Sequence, residues 1–190
     1  MKNRYELYSI YTTFSNMVST QFNTRIKIFR SDSGGEYISY KFRSYLTSQG
    51  TLAQLSCPAT PQQNGVAERK HRHILETARS LIYSSHVPLQ FWGEAVLTAI
   101  YLINRTPSSV LSGTSPYEKL FSCKPDLSSL KVFGCTCFVL LHDHERTKLS
   151  PKSTVCVFLG YGIEQKGYRC YDPKTNHCCK NPFNPRLIPD

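Results

Sequence analysis

Two carboxylates stand out by their neighbours. Asp32 lies in RSDSGGEY, where a short apolar run gives way to two glycines, and Glu68 lies in NGVAERKHR, where a loop gives way to a helical pattern. Between them stand 35 residues. If Asp32 ends a strand and Glu68 occupies the first turn of a helix, both project from rigid elements. They can then share hard divalent cations, since magnesium takes oxygen ligands with strict geometry. Two such ions about 4 Å apart can activate a hydroxyl or water and stabilise the leaving oxygen of a phosphodiester. Each acid also has a purely structural reading. Asp before Ser-Gly-Gly is a common turn former. Glu68 has Arg72 four residues later, the favourable orientation for a helical ion pair, and it suits the positive end of the helix dipole. Spacing alone leaves both readings open.

The elements that must position these residues are read from periodicity. Leu7, Tyr8, Tyr11, Phe14, Met17 and Val18 recur at helical steps and predict an amphipathic helix over 6–22. TRIKIF predicts a strand with Ile26 and Ile28 on one face, stopped by Ser31-Asp32-Ser33-Gly34-Gly35, so Asp32 falls at its C-terminal end. A second helix is expected from a Ser39 cap to Ser48, closed by Gly50, and TLAQLS is expected as a short strand. After the CPATPQQNG loop, VAERKHRHILETARSLIYSS is the clearest helix. Ala67, Ile74, Leu75, Ala78, Leu81 and Ile82 form its apolar arc, with Glu68 on the edge beside Arg72 and Arg79. PLQFWGEAVLTAIYLINRTP predicts another helix, broadly apolar and mostly buried. Residues 106–129 are rich in Ser, Thr and Pro and read as a linker with a helical piece at SPYEKLF. Beyond it, strands at LKVFGCTCFVLL, STVCVFLGYG and GYRCYDP, with a shorter one near Cys178, predict a small antiparallel barrel or sheet. Their turn signals are HDHERTK, IEQKG and DPKTN.

Composition narrows the function classes. The 190 residues are 40% hydrophobic, enough for a real core, and Lys plus Arg outnumber Asp plus Glu by 23 to 13, a net charge of +10. That excess favours a polyanionic partner such as nucleic acid, although a basic surface also serves solubility alone. No run of 18 apolar residues predicts a membrane span, and the polar, aromatic N-terminus is unlike a secretory signal. The 8 cysteines read as thiols rather than as a disulfide framework. Cys135 and Cys137 alternate in FGCTCFVLL and face one side of a strand, as small core residues. His177, Cys178 and Cys179 lack the paired spacing of a zinc site.

RSDSGGEY, PQQNGVAERKHRHI, LKVFGC and KSTVCVFLGY, in that order, resemble the integrase region of copia-type retrotransposon polyproteins. The resemblance covers nearly the whole chain and implies an α/β (α+β) fold: an RNase H-like integrase core over 1–105, truncated at its N-terminus, then the linker. An SH3-like barrel over 130–180 and an irregular tail over 181–190 would follow. It implies an Asp, Asp, Glu triad holding two Mg2+ or Mn2+ ions for DNA strand transfer, with Asp32 as the second acid, Glu68 as the third, and no small-molecule cofactor. It implies DNA and other integrase chains as partners. Gln63 and Asn64 would lie near the active site and contact DNA, where an Asn64-Gly65 turn is the structural alternative. Arg69, Lys70, Arg72, His73 and Arg79 would meet phosphates, or else form the solvated side of a helix.

The first acid of the triad belongs to a strand upstream of these residues, and only Glu6, in a predicted helix, precedes Asp32 among the acids. Glu36, past the glycines, is a weak substitute. Two ligands of three hold a second ion poorly, so the isolated chain is expected to lack strand-transfer activity. A non-catalytic DNA-binding module and a decayed polyprotein remnant are the alternatives. Two core strands without the rest of their sheet leave an unpaired edge, a configuration prone to association. An active integrase would work in the nucleus, an inactive product would stay in the cytoplasm, and neither would be secreted.

Overall fold

The computed structural model describes residues 3–57, 61–141, 147–162 and 167–181, which form two compact units, 1–70 and 71–190. The chain passes from one to the other within a single helix.

In the first unit a 3-10 turn leads into α1, Leu7–Phe22, which ends on Asn23 in the left-handed conformation (φ 47°). Strand β1, Ile28–Ser31, is followed by the one-turn α2, Gly35–Ile38, by α3, Tyr40–Ser48, and by β2, Leu52–Leu55. The two strands pair in parallel, Ile28 opposite Leu52 and Ser31 opposite Leu55, with the intervening helices as the crossover. Tyr11, Phe42 and Leu46 are the buried centre, packed with Ile26 and Phe29. Tyr11, Phe29 and Phe42 meet edge to face at 5.0 to 5.3 Å, the geometry aromatic quadrupoles prefer.

The first strand differs from expectation. It starts at Ile28 because its partner is only four residues long, and Phe29, not Ile28, turns to the core. Ile26 enters the core ahead of the strand, held by the Thr51 hydroxyl, which donates to the Ile26 carbonyl at 2.7 Å. Ile28 is left 52% exposed.

The helix α4, Gly65–Ser85, continues into the second unit, where α5, Trp92–Arg105, and α6, Pro116–Phe121, follow. Ser115 caps α6 by accepting from the Glu118 N–H at 3.1 Å, with Pro116 in the first turn where no N–H is needed. Strands β3, Thr136–Leu140, β4, Ser153–Tyr161, β5, Tyr168–Asp172, and β6, His177–Asn181, form one antiparallel sheet in sequence order. Asn181, expected in the tail, closes β6 opposite Tyr168, and the rest of the tail lies outside the described residues. Most of the HDHERTK and IEQKG turns lies outside them too.

Two clusters make up the core of this unit. Ala78 and Ile82 of α4 and Ala95 and Ala99 of α5 pack with Phe91, Phe133 and Leu159. On the sheet's other face Cys137, Val139, Cys156, Phe158, Tyr168 and Cys170 are buried together, joined by Cys135 as the alternation in FGCTCFVLL implies. The helix α5 is less buried than its composition predicts, since Trp92 is 63% and Ile100 37% exposed. No described helix is long and apolar enough to cross a membrane.

Candidate metal centre and nucleic-acid interface

Asp32 is the residue immediately after β1, and its side chain is exposed. Its Oδ1 accepts from the Gly34 N–H at 3.0 Å, so the turn-forming role is realised. A Cβ on Gly34 would stand 3.1 Å from Asp32 Oδ1 and 3.1 Å from Glu36 Oε2, so the two carboxylates flank this glycine, no more than twice that distance apart. Together they hold the Tyr37 hydroxyl above its usual pKa, after burial, the larger cause. Arg4 offsets part of this charge, its Nε lying 3.8 Å from Glu36 Oε1. The acid nearest Asp32 in this turn is therefore Glu36, which sequence reasoning set aside. The one-turn helix α2 places Glu36 beside Gly34, a fold of the turn that no residue pattern announces.

Glu68 stands exposed in the first turn of α4. Among the described residues it makes no ion pair with Arg72, so the structural pairing allowed by their spacing is not formed. Asp32 and Glu68 belong to the same compact unit. Their oxygens are the donor type that a hard divalent ion takes. They are fewer than a two-ion site needs, and among the described residues no three His, Cys, Asp or Glu side chains gather into a metal-binding group.

The loop and helix expected to meet DNA are partly committed elsewhere. Gln63 Oε1 accepts from the Cys57 N–H at 2.8 Å, tying the approach to α4 to the end of β2. Its amide N–H groups, the donors a phosphate requires, are not used in that bond. Asn64 is half-buried at the end of a 3-10 turn. Arg69 folds back toward Gly65, where a Cβ would lie 3.0 Å from its guanidinium. Lys70, Arg72, His73 and Arg79 are exposed on α4. At about 100° per residue, Arg72 and Arg79 stand about 20° apart on one flank of α4, beside Glu68 and roughly a quarter-turn from the buried Ala78 and Ile82, while Arg69 and His73 lie opposite those two and Lys70 is on the other flank.

The sheet defines the class first: residues 135–180 match the retroviral polymerase SH3-like domain family. Over 173 residues the chain is 43% identical to the retrovirus-related Pol polyprotein from transposon TNT 1-94 of Nicotiana tabacum, 91% of this chain and 13% of that one. Over 176 residues it is 40% identical to the Pol polyprotein from transposon RE1 of Arabidopsis thaliana, 93% of this chain and 12% of that one. The chain belongs to the family of retrotransposon Pol polyproteins, and it spans about an eighth of the length of these relatives. A crystal structure of the catalytic core domain of BIV integrase is similar over 54% of this chain and 66% of that one, at 22% identity and a TM-score of 0.38. The assignment rests on the Pol relatives rather than on this partial likeness.

Proposed function

We propose that this chain is the part of a retrotransposon integrase that supplies the second and third acids of a metal site, Asp32 and Glu68, together with a DNA-binding helix. In this reading residues 1–105 are the RNase H-like core, 106–129 the linker and 130–180 the SH3-like module, and the site of action is the nucleus. The observation that carries it is an aspartate at the exit of a parallel strand and a glutamate opening the next long helix, in one compact unit of a Pol-related chain. Magnesium or manganese held between such carboxylates would polarise a phosphodiester and activate a DNA 3'-hydroxyl. The chain's own part is to present those two acids and to orient the duplex. Arg72 and Arg79 can meet backbone phosphates from one face of α4, and Gln63 ties the approach to that helix to Cys57. The first acid of the triad has to come from another segment, so strand transfer is not assigned to these 190 residues alone.

Two assays test this. Duplex DNA should bind with an affinity that falls steeply with salt, through counterion release. Strand transfer should be absent for the chain itself in magnesium or manganese. It should appear when the preceding integrase segment of a Pol relative is joined to the chain, and be abolished there by Glu68→Gln. Binding that ignores salt would remove the DNA reading, and activity surviving Glu68→Gln would remove the assignment of that acid. That no three His, Cys, Asp or Glu side chains gather into a metal-binding group among the described residues favours one second reading, a DNA-binding module without catalysis. Salt-sensitive binding with no transfer by the joined protein would select it.

A further inference from the structure

The outer edge of β2 is open. In the parallel pair, Leu52 N–H donates to the Lys27 carbonyl and Ser56 N–H to the Ser31 carbonyl, each at 2.9 Å. Residues of a strand alternate in the direction of their main-chain groups. Even-numbered residues of β2 therefore bond β1, and Ala53 and Leu55 turn their N–H and C=O outward. Alongside runs a trough of about 680 Å3, walled by Arg43 and Thr47 of α3 and floored by Leu52, Ala53 and Leu55. Ala53 is exposed and Leu55 is 37% exposed. No element among the described residues pairs with this edge.

We infer that this edge is a self-complementary pairing surface whose occupant is β2 of a second copy, in antiparallel register about Gln54. The register follows from the outward-facing residues. Centred on Gln54, Ala53 of one copy faces Leu55 of the other and the reverse, and each pair exchanges two main-chain hydrogen bonds, as antiparallel hydrogen-bonded pairs do. Ala53 and Leu55 side chains then lie directly opposite across the strands, close enough to cover one another. Gln54 meets its counterpart on the other face while its Oε1 stays bonded to Arg30, whose Nη2 lies at 3.0 Å. The result is a two-fold, four-stranded sheet with isologous contacts.

Charge selects β2 rather than β1 for this role. Natural edges are guarded by charged residues, lysine above all. The edge of β1 carries Lys27, Arg30 and Asp32 in and around the strand, whereas Leu52-Ala53-Gln54-Leu55 carries no charge. Four residues per copy make a small interface, so the dimer is weak and depends on concentration. The inference does not rest on the metal-site reading, and its test uses neither DNA nor metal, so either can fail alone.

The test is sedimentation of the full 190-residue chain from micromolar to sub-millimolar concentration, joined to amide exchange. A monomer–dimer equilibrium is expected, with the Ala53 and Leu55 amides gaining protection as concentration rises and the Ser56 amide protected throughout. Ala53→Pro removes an outward N–H that β1 does not use, a substitution edge strands accept, and should weaken the dimer about tenfold. Leu55→Lys places a guarding charge on the edge and should weaken it at least as much, and Ser56 protection reports that either variant still folds. A monomer at every concentration, or a dimer indifferent to both variants with Ala53 and Leu55 exchanging freely, overturns the inference.

Discussion

At Gly160 the chain has no room for a side chain. Its φ is +131°, and a Cβ there would overlap the hydroxyl of Thr98, which is buried in α5 and donates to the Leu159 carbonyl at 3.3 Å. Gly134 stands in the same relation to α4, with φ +82° and its missing Cβ against Ser85 and Val87. Gly160→Ala combines a disfavoured backbone with overpacking, and should cost about 2–4 kcal/mol in urea unfolding. Gly113, also at positive φ (+80°) but facing open space, isolates the backbone contribution. Gly113→Ala should cost about 1 kcal/mol. Equal losses at the two positions would mean that close approach to Thr98 is not what Gly160 serves. The acids of the candidate site stand at the opposite extreme. Asp32 and Glu68 are exposed, and nothing in their packing demands a carboxylate. Their type and spacing stand in the sequence itself and need no fold to be read, although the one role the fold shows directly is the turn in which Asp32 accepts from the Gly34 N–H. The nearness of Glu36 to Asp32 was not legible, because it depends on how one short turn folds around Gly34.

The helix α4 carries the sharpest prediction at the scale of elements. Arg72 and Arg79 lie on one exposed arc, and each phosphate contact contributes a slope of about 0.9 to the salt dependence of duplex binding. Arg72→Ala with Arg79→Ala should therefore lower that slope by roughly 2 and weaken binding uniformly across sequences. Lys70→Ala, off the arc, should change it by less than one unit of slope, on the order of half. Equal effects from all three would mean a diffuse basic cloud rather than a helix face. The hairpin of β5 and β6 supplies a pH dependence. Asp172 accepts from the Lys174 N–H at 2.8 Å and from the Thr154 hydroxyl at 3.2 Å. The Lys174 bond chiefly, with hydroxyl donors helping, holds its carboxyl below the usual range against the opposing effect of burial. A lowered folded pKa means stability fully present above the unfolded value of about 3.9 and lost as pH falls from there through the folded value. Melting curves of the parent should drop through that acid window, and Asp172→Asn should flatten the drop. An unchanged acid limb would count against this role. Most of these elements could be read from period alone: α1, α3, α4 and the four-strand sheet follow apolar spacing and turn residues. The bounds of β1 could not, since they are set by a partner strand 24 residues away in register. Nor could the exposure of Trp92, because a broad apolar face does not say which part of it finds a neighbour.

At the scale of the molecule, composition separates a Ser/Thr/Pro-rich stretch from the strands beyond it, yet residues 71–190 form one compact unit. The reason lies in the surface that the sheet presents to α5. Leu159 and Phe133 pack with Ala95 and Ala99. Tyr161 stacks on Tyr101 with ring centres 3.7 Å apart and planes 11° from parallel, and Arg105 lies 3.4 Å above the Tyr101 ring. Arg169 of β5 donates to Glu94 of α5 at 2.8 Å. A fragment of residues 130–190 keeps all four strands but strips these partners from Leu159, Phe133 and Tyr161. A chain of about 60 residues buries too little surface to absorb such a loss. That fragment should therefore show sheet-like circular dichroism without a sharp melting transition, whereas residues 71–190 should unfold in a single one. Placing the break at 106 instead, so that α6 is kept and α4 and α5 are lost, should be no better, since the missing contacts come from α4, α5 and the turn between them. If the 130–190 fragment melts as sharply as the longer one, the buried cluster of Cys137, Cys156, Phe158 and Cys170 suffices by itself. The contacts to α5 would then join two autonomous bodies instead of completing one.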